Sequence, residues 1–412
     1  MIWDLITKRS STILLLIGSL LFLSCKIQEF KVLPDRIIAH KVEAIESPTQ
    51  LVGPSVFQIP DYFVWGGSVV KGDDDKYHML FSLWESGIPG GSFSKNWVLQ
   101  SKIGYAVSDY PDRNFRFRKI VLQGRRYDGN TEVWDAQMVH NPHIKKFNDT
   151  YYLYYIGGKD PGEQPKGSAG ENLDQRASVQ QTLCIGVIAF NSFNDLLSGN
   201  FSRPKQPLLE PRTRVKPGSV LNGSSKGTIA KPDNIIVVNP SVVYNPKTKR
   251  YLLFFKGNLY DPHWKGAHGV AIGDTPLGPF APKDNFIFDV RMPDGSLAST
   301  EDPYVWYVKE QDQFMAVVKD FTGRLTGQKK TLAPLLSFDG IRWQLAKNPL
   351  FMKRELLLPN GSVLAVNRLE RSQLLLNKRG IPTVMYAACA VGNVNPKNDG
   401  SSFNVQIPLV GD

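Results

Sequence analysis

The sequence has few of the residues that build disulfide scaffolds or metal sites. Its 412 residues include three cysteines and six histidines, and no HExxH, HxxxH or CxxC spacing occurs. We therefore expect no disulfide framework, no dedicated metal site and no cofactor. Cys184 and Cys389 lie within apolar strand patterns, which predicts buried core thiols.

The chain also lacks a block of basic residues, a basic helical stripe, a sustained amphipathic helix and a domain linker. Nucleic acid is therefore not an expected partner. The net charge is nevertheless +11. That excess either keeps the protein soluble or attracts an anionic partner.

The N-terminus has the order of a secretory signal. Lys8 and Arg9 precede an apolar run over 13–23, and Cys25 follows a small residue. Residues 22–25 resemble a bacterial lipobox, so we expect a lipoprotein signal peptide over 1–24 and lipidation of Cys25. The expected protein is exported and membrane-anchored, at the periplasmic face or the cell surface. A plain cleaved signal is the alternative.

One short phrase recurs along the rest of the chain, each time ahead of a strand rich in aromatic and β-branched residues. Its five copies read GGSVV from Gly66, NPHI from Asn141, NPSVV from Asn239, EDPYV from Glu301 and ERSQL from Glu370. Repetition of a small β-unit is typical of propellers. We predict an all-β fold, with a tether over 25–50 and a five-bladed β-propeller over 51–412. The polar residues at the start of each copy, here called its head, should lie where the strand begins (the strand mouth). The five heads should meet around one central pocket.

Matching later strands are predicted at 103–108, 185–189, 268–273 and 332–337. Unit five lacks such a strand, so a strand at 403–407 or near Val52 should close the propeller. Two stretches rich in Gly, Ser, Asn and Pro, at 159–179 and 195–233, are predicted loops that shape the site.

Carboxylates at the repeat heads are the candidate catalytic groups. Cleavage of a glycosidic bond needs one carboxyl to protonate the leaving oxygen and another to activate water or attack. We predict Glu301 as the acid and Asp135 as the base, with Asp302 and Glu370 tuning them. Turn caps or ion pairs are the structural alternatives, and Glu370, next to Arg371 and near Arg368, could instead form a structural salt bridge.

The remaining candidates are amides, imidazoles, aromatic faces and cations near the same strand ends. Histidine can act as acid, base or sugar ligand, and the guanidinium of arginine can bind a carboxylate or sulfate through two hydrogen bonds. The predicted site therefore adds His143 to the catalytic group. The predicted substrate-binding residues are Trp65, Trp134, His140, Asn141, Asn239, Lys256, Asp302, Lys319, Arg324 and Arg371.

Together these heads and their partner strands resemble the five-bladed β-propeller glycoside hydrolases related to families 43 and 117, of the bacterial polysaccharide-degrading lipoprotein type. The resemblance covers about residues 55–395. In the family 43 pattern, blades one and three begin with Asp, whereas Gly66 and Asn239 stand there in this chain. Only the acidic head at Glu301 is retained. The base is then supplied by Asp135 or by His140 or His143.

The resemblance implies a glycoside hydrolase. The net charge and the cations near the strand ends favour an acidic or sulfated oligosaccharide, and a pocket closed by long loops favours exo action at a chain end. Two alternatives stay open. One is a glycan-binding lipoprotein without activity, and the other is a propeller-fold glycoside phosphorylase.

Overall fold

A computed structural model describes residues 30–32, 40–41, 51–86, 92–168, 170–216, 223–260, 264–288, 299–358, 361–392 and 401–411. Predicted features at 1–24, at Cys25 and over most of 25–50 lie outside this part of the chain. The first described strands are short: β1 (Phe30–Val32), β2 (His40–Lys41), β3 (Leu51–Val52) and β4 (Val56–Phe57).

Five antiparallel sheets follow one another along the chain. The first contains β5 (Tyr62–Lys71), β6 (Tyr77–Glu85), β7 (Lys102–Ser108) and β8 (Arg116–Leu122), with helix α1 (Phe93–Gln100) between β6 and β7. The second contains β9 (Met138–Phe147), β10 (Thr150–Gly158) and β11 (Cys184–Phe190), with helices α2 (Gln175–Gln180) before β11 and α3 (Phe193–Ser198) after it.

The third sheet contains β12 (Val238–Asn245), β13 (Arg250–Tyr260), β14 (Trp264–Gly273) and β15 (Phe280–Pro282). The fourth contains β16 (Thr300–Val308), β17 (Gln313–Asp320), β18 (Thr331–Ser337) and β19 (Gln344–Leu345), and a small hairpin of β20 (Glu355–Leu357) and β21 (Val363–Ala365) follows it. The fifth contains β22 (Arg368–Leu376), β23 (Pro382–Val391) and β24 (Ser401–Gly411). Short 3-10 turns cover Arg125–Asp128 and Lys309–Gln311.

The sheets pack face to face around a common axis, as the blades of a five-bladed propeller do. Strand β10 shows why the sequence requires this: its side chains are apolar on both faces, so both must be covered. Tyr151, Leu153 and Tyr155 pack with residues of the first blade. Tyr154 points the other way and packs with residues of the third. The predicted all-β propeller is confirmed.

The ends of the described chain close the ring of blades. Strand β24 pairs with β23 on one side, and on its other side it pairs with β1 and with β4. The fifth blade is thus completed by residues 401–411 together with 56–57, so both sequence candidates contribute. Cys184 and Cys389 are buried free thiols, as predicted. Across the described residues, no helix is both long and apolar enough to cross a membrane.

Candidate active site

Each inner strand carries a bulge in which one residue adopts a left-handed backbone. The five residues have φ between 48° and 59° and occupy the same place in their blades: Gly66, Asn141, Asn239, Asp302 and Arg371. Pairing with the second strand shifts register beside each of them. The repeated phrase therefore marks a point inside the inner strand, not the strand mouth that the sequence predicted.

Residue chemistry explains four of the five positions. Glycine adopts this conformation freely, and Asn and Asp tolerate it better than other residues do. Arg371 is the exception, because a long side chain in this region costs about 1–2 kcal/mol. Such a cost is typical of positions held for function.

The five residues form a ring at the propeller axis, which we call the axial ring. The Asn141 Nδ2 donates to Asn239 Oδ1 (2.9 Å), and the Asn239 Nδ2 donates to Asp302 Oδ1 (2.7 Å). Arg371 Nη1 lies 3.8 Å from Asp302 Oδ1. Gly66 completes the ring, since a Cβ there would lie 3.0 Å from Asn141 Oδ1 and 3.7 Å from Arg371 Nε.

A second polar layer lies two residues further along each inner strand, and His143 belongs to it. Its Nε2 accepts a hydrogen bond from the Val242 amide (2.9 Å), which requires that Nδ1 carry the proton and donate to Gln373 Oε1 (2.9 Å). Burial, with help from Lys145, lowers the pKa of His143 well below its ordinary value. His143 is thus a neutral structural residue that links blades, and the prediction that it shares the pocket is corrected.

Above the axial ring lies a pocket of about 530 Å³. Aromatic side chains form one wall, and charged side chains of blades three to five form the other. The predicted residues that line it are Trp65, His140, Asn141, Asn239, Lys256, Glu301, Asp302, Glu370 and Arg371. Lys319 stands behind this wall, in contact with Glu301 and Glu370.

Asp135 does not belong to this pocket. Its side chain is fully buried, and it pairs with Arg125 (Nε to Oδ1, 2.6 Å) and Arg203 (Nη2 to Oδ2, 2.5 Å). The Tyr155 hydroxyl donates a third bond to Oδ2 (2.9 Å). Both of its oxygens are bound by these side chains and it does not line the pocket, so its predicted placement as the base beside Glu301 is corrected.

Trp134 and Arg324 also lie away from the pocket. The Trp134 ring packs on Gly157 and Gly186, where any Cβ would meet it within 2.5 Å, and it stacks on Tyr155. It fills the core of blade two and presents no face to a ligand. Arg324 is exposed, in the loop between β17 and β18.

The three pocket carboxylates differ in their partners. Glu301 has both oxygens bound: Oε1 by Lys256 Nζ (2.5 Å) and Oε2 by Lys319 Nζ (3.1 Å). Burial alone would raise the pKa of Glu301, but these two ammonium groups hold it well below its usual range. Glu301 is therefore ionised and has no proton to donate near neutral pH, so its prediction as the acid is corrected.

Asp302 has the opposite character. Its burial raises its pKa to about 6, with the Glu301 and Glu370 charges acting in the same direction and Arg371 and Lys319 opposing them. Oδ1 accepts from Asn239, while no described residue donates to Oδ2. This carboxyl can hold a proton near neutral pH and present it to the pocket.

Glu370 is engaged on one oxygen. Lys319 Nζ lies 2.9 Å and Arg368 Nη1 3.6 Å from its Oε1. No donor among the described residues reaches Oε2. The salt-bridge alternative for Glu370 thus holds, with Lys319 and Arg368 as partners.

His140 lines the pocket as a neutral imidazole. Its Nδ1 lies 2.8 Å from Ser101 Oγ, and its ring stacks on Trp97 with centroids 4.5 Å apart. Burial lowers the pKa of His140 well below its ordinary value, and the Arg371 charge adds to this. His140 therefore positions ligands more readily than it accepts a proton.

Sequence reasoning missed part of the aromatic wall and part of the rim. Phe93 and Trp97 come from α1, and Arg176 and Gln180 come from α2. The second helix ends the stretch predicted as a site-shaping loop, so that signal pointed to the right region. Within the described residues, no group of three or more His, Cys, Asp or Glu side chains is placed to hold a metal ion.

Comparison with known proteins finds no matching family model and no matching curated sequence. Solved structures do match. Zg3597, a family 117 glycoside hydrolase of the marine bacterium Zobellia galactanivorans, is 14% identical with a TM-score of 0.54, over 93% of this chain and 90% of that one.

Two further structures match over similar lengths. A complex of BT0996 with RGII is 12% identical with a TM-score of 0.55, over 92% of this protein and 96% of that one. A thermostable family-43 glycoside hydrolase is 9% identical with a TM-score of 0.53, over 85% and 89%. This chain therefore has the five-bladed propeller fold of these proteins.

Proposed function

We propose that this protein is an exo-acting glycoside hydrolase whose pocket receives the end of an acidic or sulfated oligosaccharide. The observation that carries the proposal is Asp302, a buried carboxyl with a raised pKa and one open oxygen. It stands in a concave pocket beside two fixed carboxylates. The shared fold with glycoside hydrolases of families 117 and 43 supports the same reading.

The shape of the pocket favours a chain end. Its volume of about 530 Å³ is within the range of small-ligand sites, and the axial ring closes its floor. Trp65, Trp84 and Trp97 offer flat apolar faces against which a sugar ring can pack. Four cationic side chains stand against three acidic ones among the described residues of the lining, which suits an anionic sugar.

In the proposed reaction, Asp302 is the general acid that protonates the leaving glycosidic oxygen. Glu370, whose Oε2 is open, is the second carboxylate, which activates water or attacks the sugar. Glu301 cannot share that task, because both of its oxygens are bound by lysines. Its role is to hold Lys256 and Lys319 in place.

The proposal is tested on a panel of uronic-acid and sulfated oligosaccharides with product detection. We expect Asp302→Asn to lose roughly two to four orders of magnitude in kcat/KM, the usual worth of a positioned proton donor. Because the acid must be protonated, wild-type kcat/KM should fall as pH rises through about 6.

Activated aryl glycosides need no leaving-group protonation, so they should rescue Asp302→Asn but not Glu370→Gln. The surface variant Glu132→Gln serves as control, since that carboxyl is exposed. Near-normal turnover by Asp302→Asn on the natural oligosaccharide would remove Asp302 as the acid.

A second candidate, a glycoside phosphorylase, is favoured by Arg371, whose guanidinium nitrogens have no hydrogen-bond partner among the described residues. Turnover that depends on added phosphate would select it. A glycan-binding protein without activity would bind the same oligosaccharides and release no product.

The N-terminal motif supports a proposal about location. The protein is proposed to be an exported lipoprotein acylated at Cys25, at the periplasmic face or the cell surface. Cys25→Ala should release it from the membrane fraction. Unchanged membrane association of that variant would show a different anchor.

A further inference from the structure

Arg371 is a buried cation to which no described residue is hydrogen-bonded through its side chain. Its side chain is 1% exposed, and none of its three guanidinium nitrogens has a partner among the described residues. Its nearest carboxylate oxygen, Asp302 Oδ1, is 3.8 Å from Nη1 and so beyond hydrogen-bond reach. Buried arginines normally bind carboxylates or phosphates in a bidentate manner, since an unpaired buried charge is costly.

The other deeply placed cations of the site are already compensated. Lys256 and Lys319 bind Glu301, and Lys319 also binds Glu370. At the rim, Arg176 donates to Gln180. Arg371 thus differs from them in having a charge with no donor–acceptor contact to satisfy it.

The backbone of Arg371 points to the same conclusion. It holds the left-handed conformation that the other axial positions fill with Gly, Asn or Asp. An arginine there adds backbone strain to a buried guanidinium without hydrogen bonds, so neither feature stabilises the fold. Beside it, Asn141 Oδ1 is also buried without a partner, while its Nδ2 is bound to Asn239.

We propose that Arg371 is an oxyanion receptor at the pocket floor, and that its guanidinium binds a carboxylate, sulfate or phosphate group. The inference deepens the proposed function and rests on it for the identity of the sugar. The oxyanion belongs either to the terminal sugar of the substrate or to inorganic phosphate. In both cases Arg371 would bind anionic oxygen atoms.

A bound anion would also act on Asp302. The charged and titratable groups that face Asp302 are Arg371, Glu301, Lys319 and Glu370. Arg371 is the cation that most opposes protonation there. An oxyanion that neutralises it removes this opposition, so an anionic ligand favours the protonated acid and a neutral ligand does not.

The test compares ligands that differ by one charged group. Isothermal titration calorimetry would measure D-galacturonate against D-galactose, D-galactose 6-sulfate, and inorganic phosphate and sulfate. Arg371→Asn is the variant of choice, because asparagine occupies the equivalent position in two other blades. Arg379→Asn is the control, since it removes an exposed guanidinium that does not line the pocket.

We expect at least one oxyanion to bind wild type, and Arg371→Asn to weaken that binding by about 10- to 100-fold, as loss of charged hydrogen bonds does. Neutral-sugar binding should be unchanged and Tm equal or higher, because a buried guanidinium without hydrogen bonds has been removed. The Arg379→Asn variant should keep the oxyanion preference.

Each source of the anion gives its own result. Preference for galacturonate or the sulfated sugar assigns the anion to the substrate, whereas phosphate binding with phosphate-dependent turnover assigns it to a co-substrate. Absence of all oxyanion binding overturns the proposal, as does equal loss of neutral and anionic ligands together with a lower Tm. Oligosaccharide turnover is measured separately, so a failure of the hydrolase proposal can be distinguished from a failure of the oxyanion-receptor proposal.

Discussion

At the scale of single residues, Asp135 shows how a buried carboxylate can be fully committed to structure. It joins Arg125 and Arg203, whose side chains are 12% and 13% exposed, to the core of blade two. Removing one member of such a buried group leaves the other charges uncompensated, which is the costly case.

Asp135→Ala should therefore lower the free energy of unfolding by about 3–5 kcal/mol, with unchanged turnover per folded molecule. Urea denaturation measures the first quantity and active-site titration the second. Asp284→Ala is the control: Asp284 also contacts two cations, Arg212 and Lys231, but is 64% exposed. Its loss should cost less than about 1 kcal/mol. Normal stability of Asp135→Ala with lost turnover would return Asp135 to the catalytic group.

The charge states of the pocket show what the sequence can and cannot predict about single residues. Polar heads of the repeated phrase identified Glu301, Asp302 and Glu370 as pocket residues. The charge states of Glu301 and Asp302 could not be predicted, because Lys256 of blade three and Lys319 of blade four lower the pKa of Glu301, whereas burial raises the pKa of Asp302. Which of two adjacent carboxyls a lysine contacts is set by the bulge, and the sequence does not display that geometry.

At the scale of the strand, the bulge in each inner strand is the element that builds the site. The repeated phrase predicted five inner strands and their common orientation. It did not reveal the left-handed residue, because Gly, Asn, Asp and Arg share no obvious pattern until their φ values are compared. Asp135 was misplaced for the same reason, since it precedes an inner strand without occupying the bulge position.

The bulge in blade one provides a prediction about backbone strain and packing. Gly66→Ala must keep φ near 59° and also place a Cβ 3.0 Å from Asn141 Oδ1. At Gly129 the φ is 81° and no atom lies within 4 Å of an added Cβ, so Gly129→Ala has only the energetic cost of the left-handed backbone and no clash.

Gly129→Ala should lose about 1–2 kcal/mol of unfolding free energy. Gly66→Ala should lose more, and it should also weaken oligosaccharide binding because the axial ring must shift. Equal losses for the two variants, measured by chemical denaturation, would show that the ring yields to the added methyl group without cost.

At the scale of the whole molecule, the last described strand fastens blade five to blade one. Asn404 on β24 is fully buried, and its Oδ1 accepts the Gly67 amide of β5 at 3.0 Å. Ser402 Oγ accepts the Val64 amide in the same way. Side chains thus connect the sheets of blades five and one, which are not joined by backbone pairing between β24 and β5.

Asn404→Ala should leave the Gly67 amide buried and unbound, and cost about 1–3 kcal/mol of stability. Asn377→Ala is the matched control, because Asn377 binds the amides of Arg379 and Ile381 within one exposed turn. Thermal denaturation should separate the two variants. An equal effect would mean that the link between blades five and one adds nothing beyond local turn stability.

The closure of the propeller was predictable in outline, since unit five lacked a partner strand and two segments were available. Joint use of both segments was not predictable, because strands of two or three residues such as β1 and β4 leave little periodic signal. Their pairing depends on the edge that β24 presents after the other blades have formed.

The axial ring separates the chemistry of the protein from its architecture. Five positions share one backbone conformation, and their side chains meet in one place while the blades around them are held by other residues. A combinatorial library restricted to Asn141, Asn239, Asp302 and Arg371, with Gly66 kept, would therefore vary reactivity on a constant scaffold. Small sets of Gly, Asn and Asp at these positions keep the backbone relaxed, so the ring makes this propeller a suitable starting point for engineering new specificities.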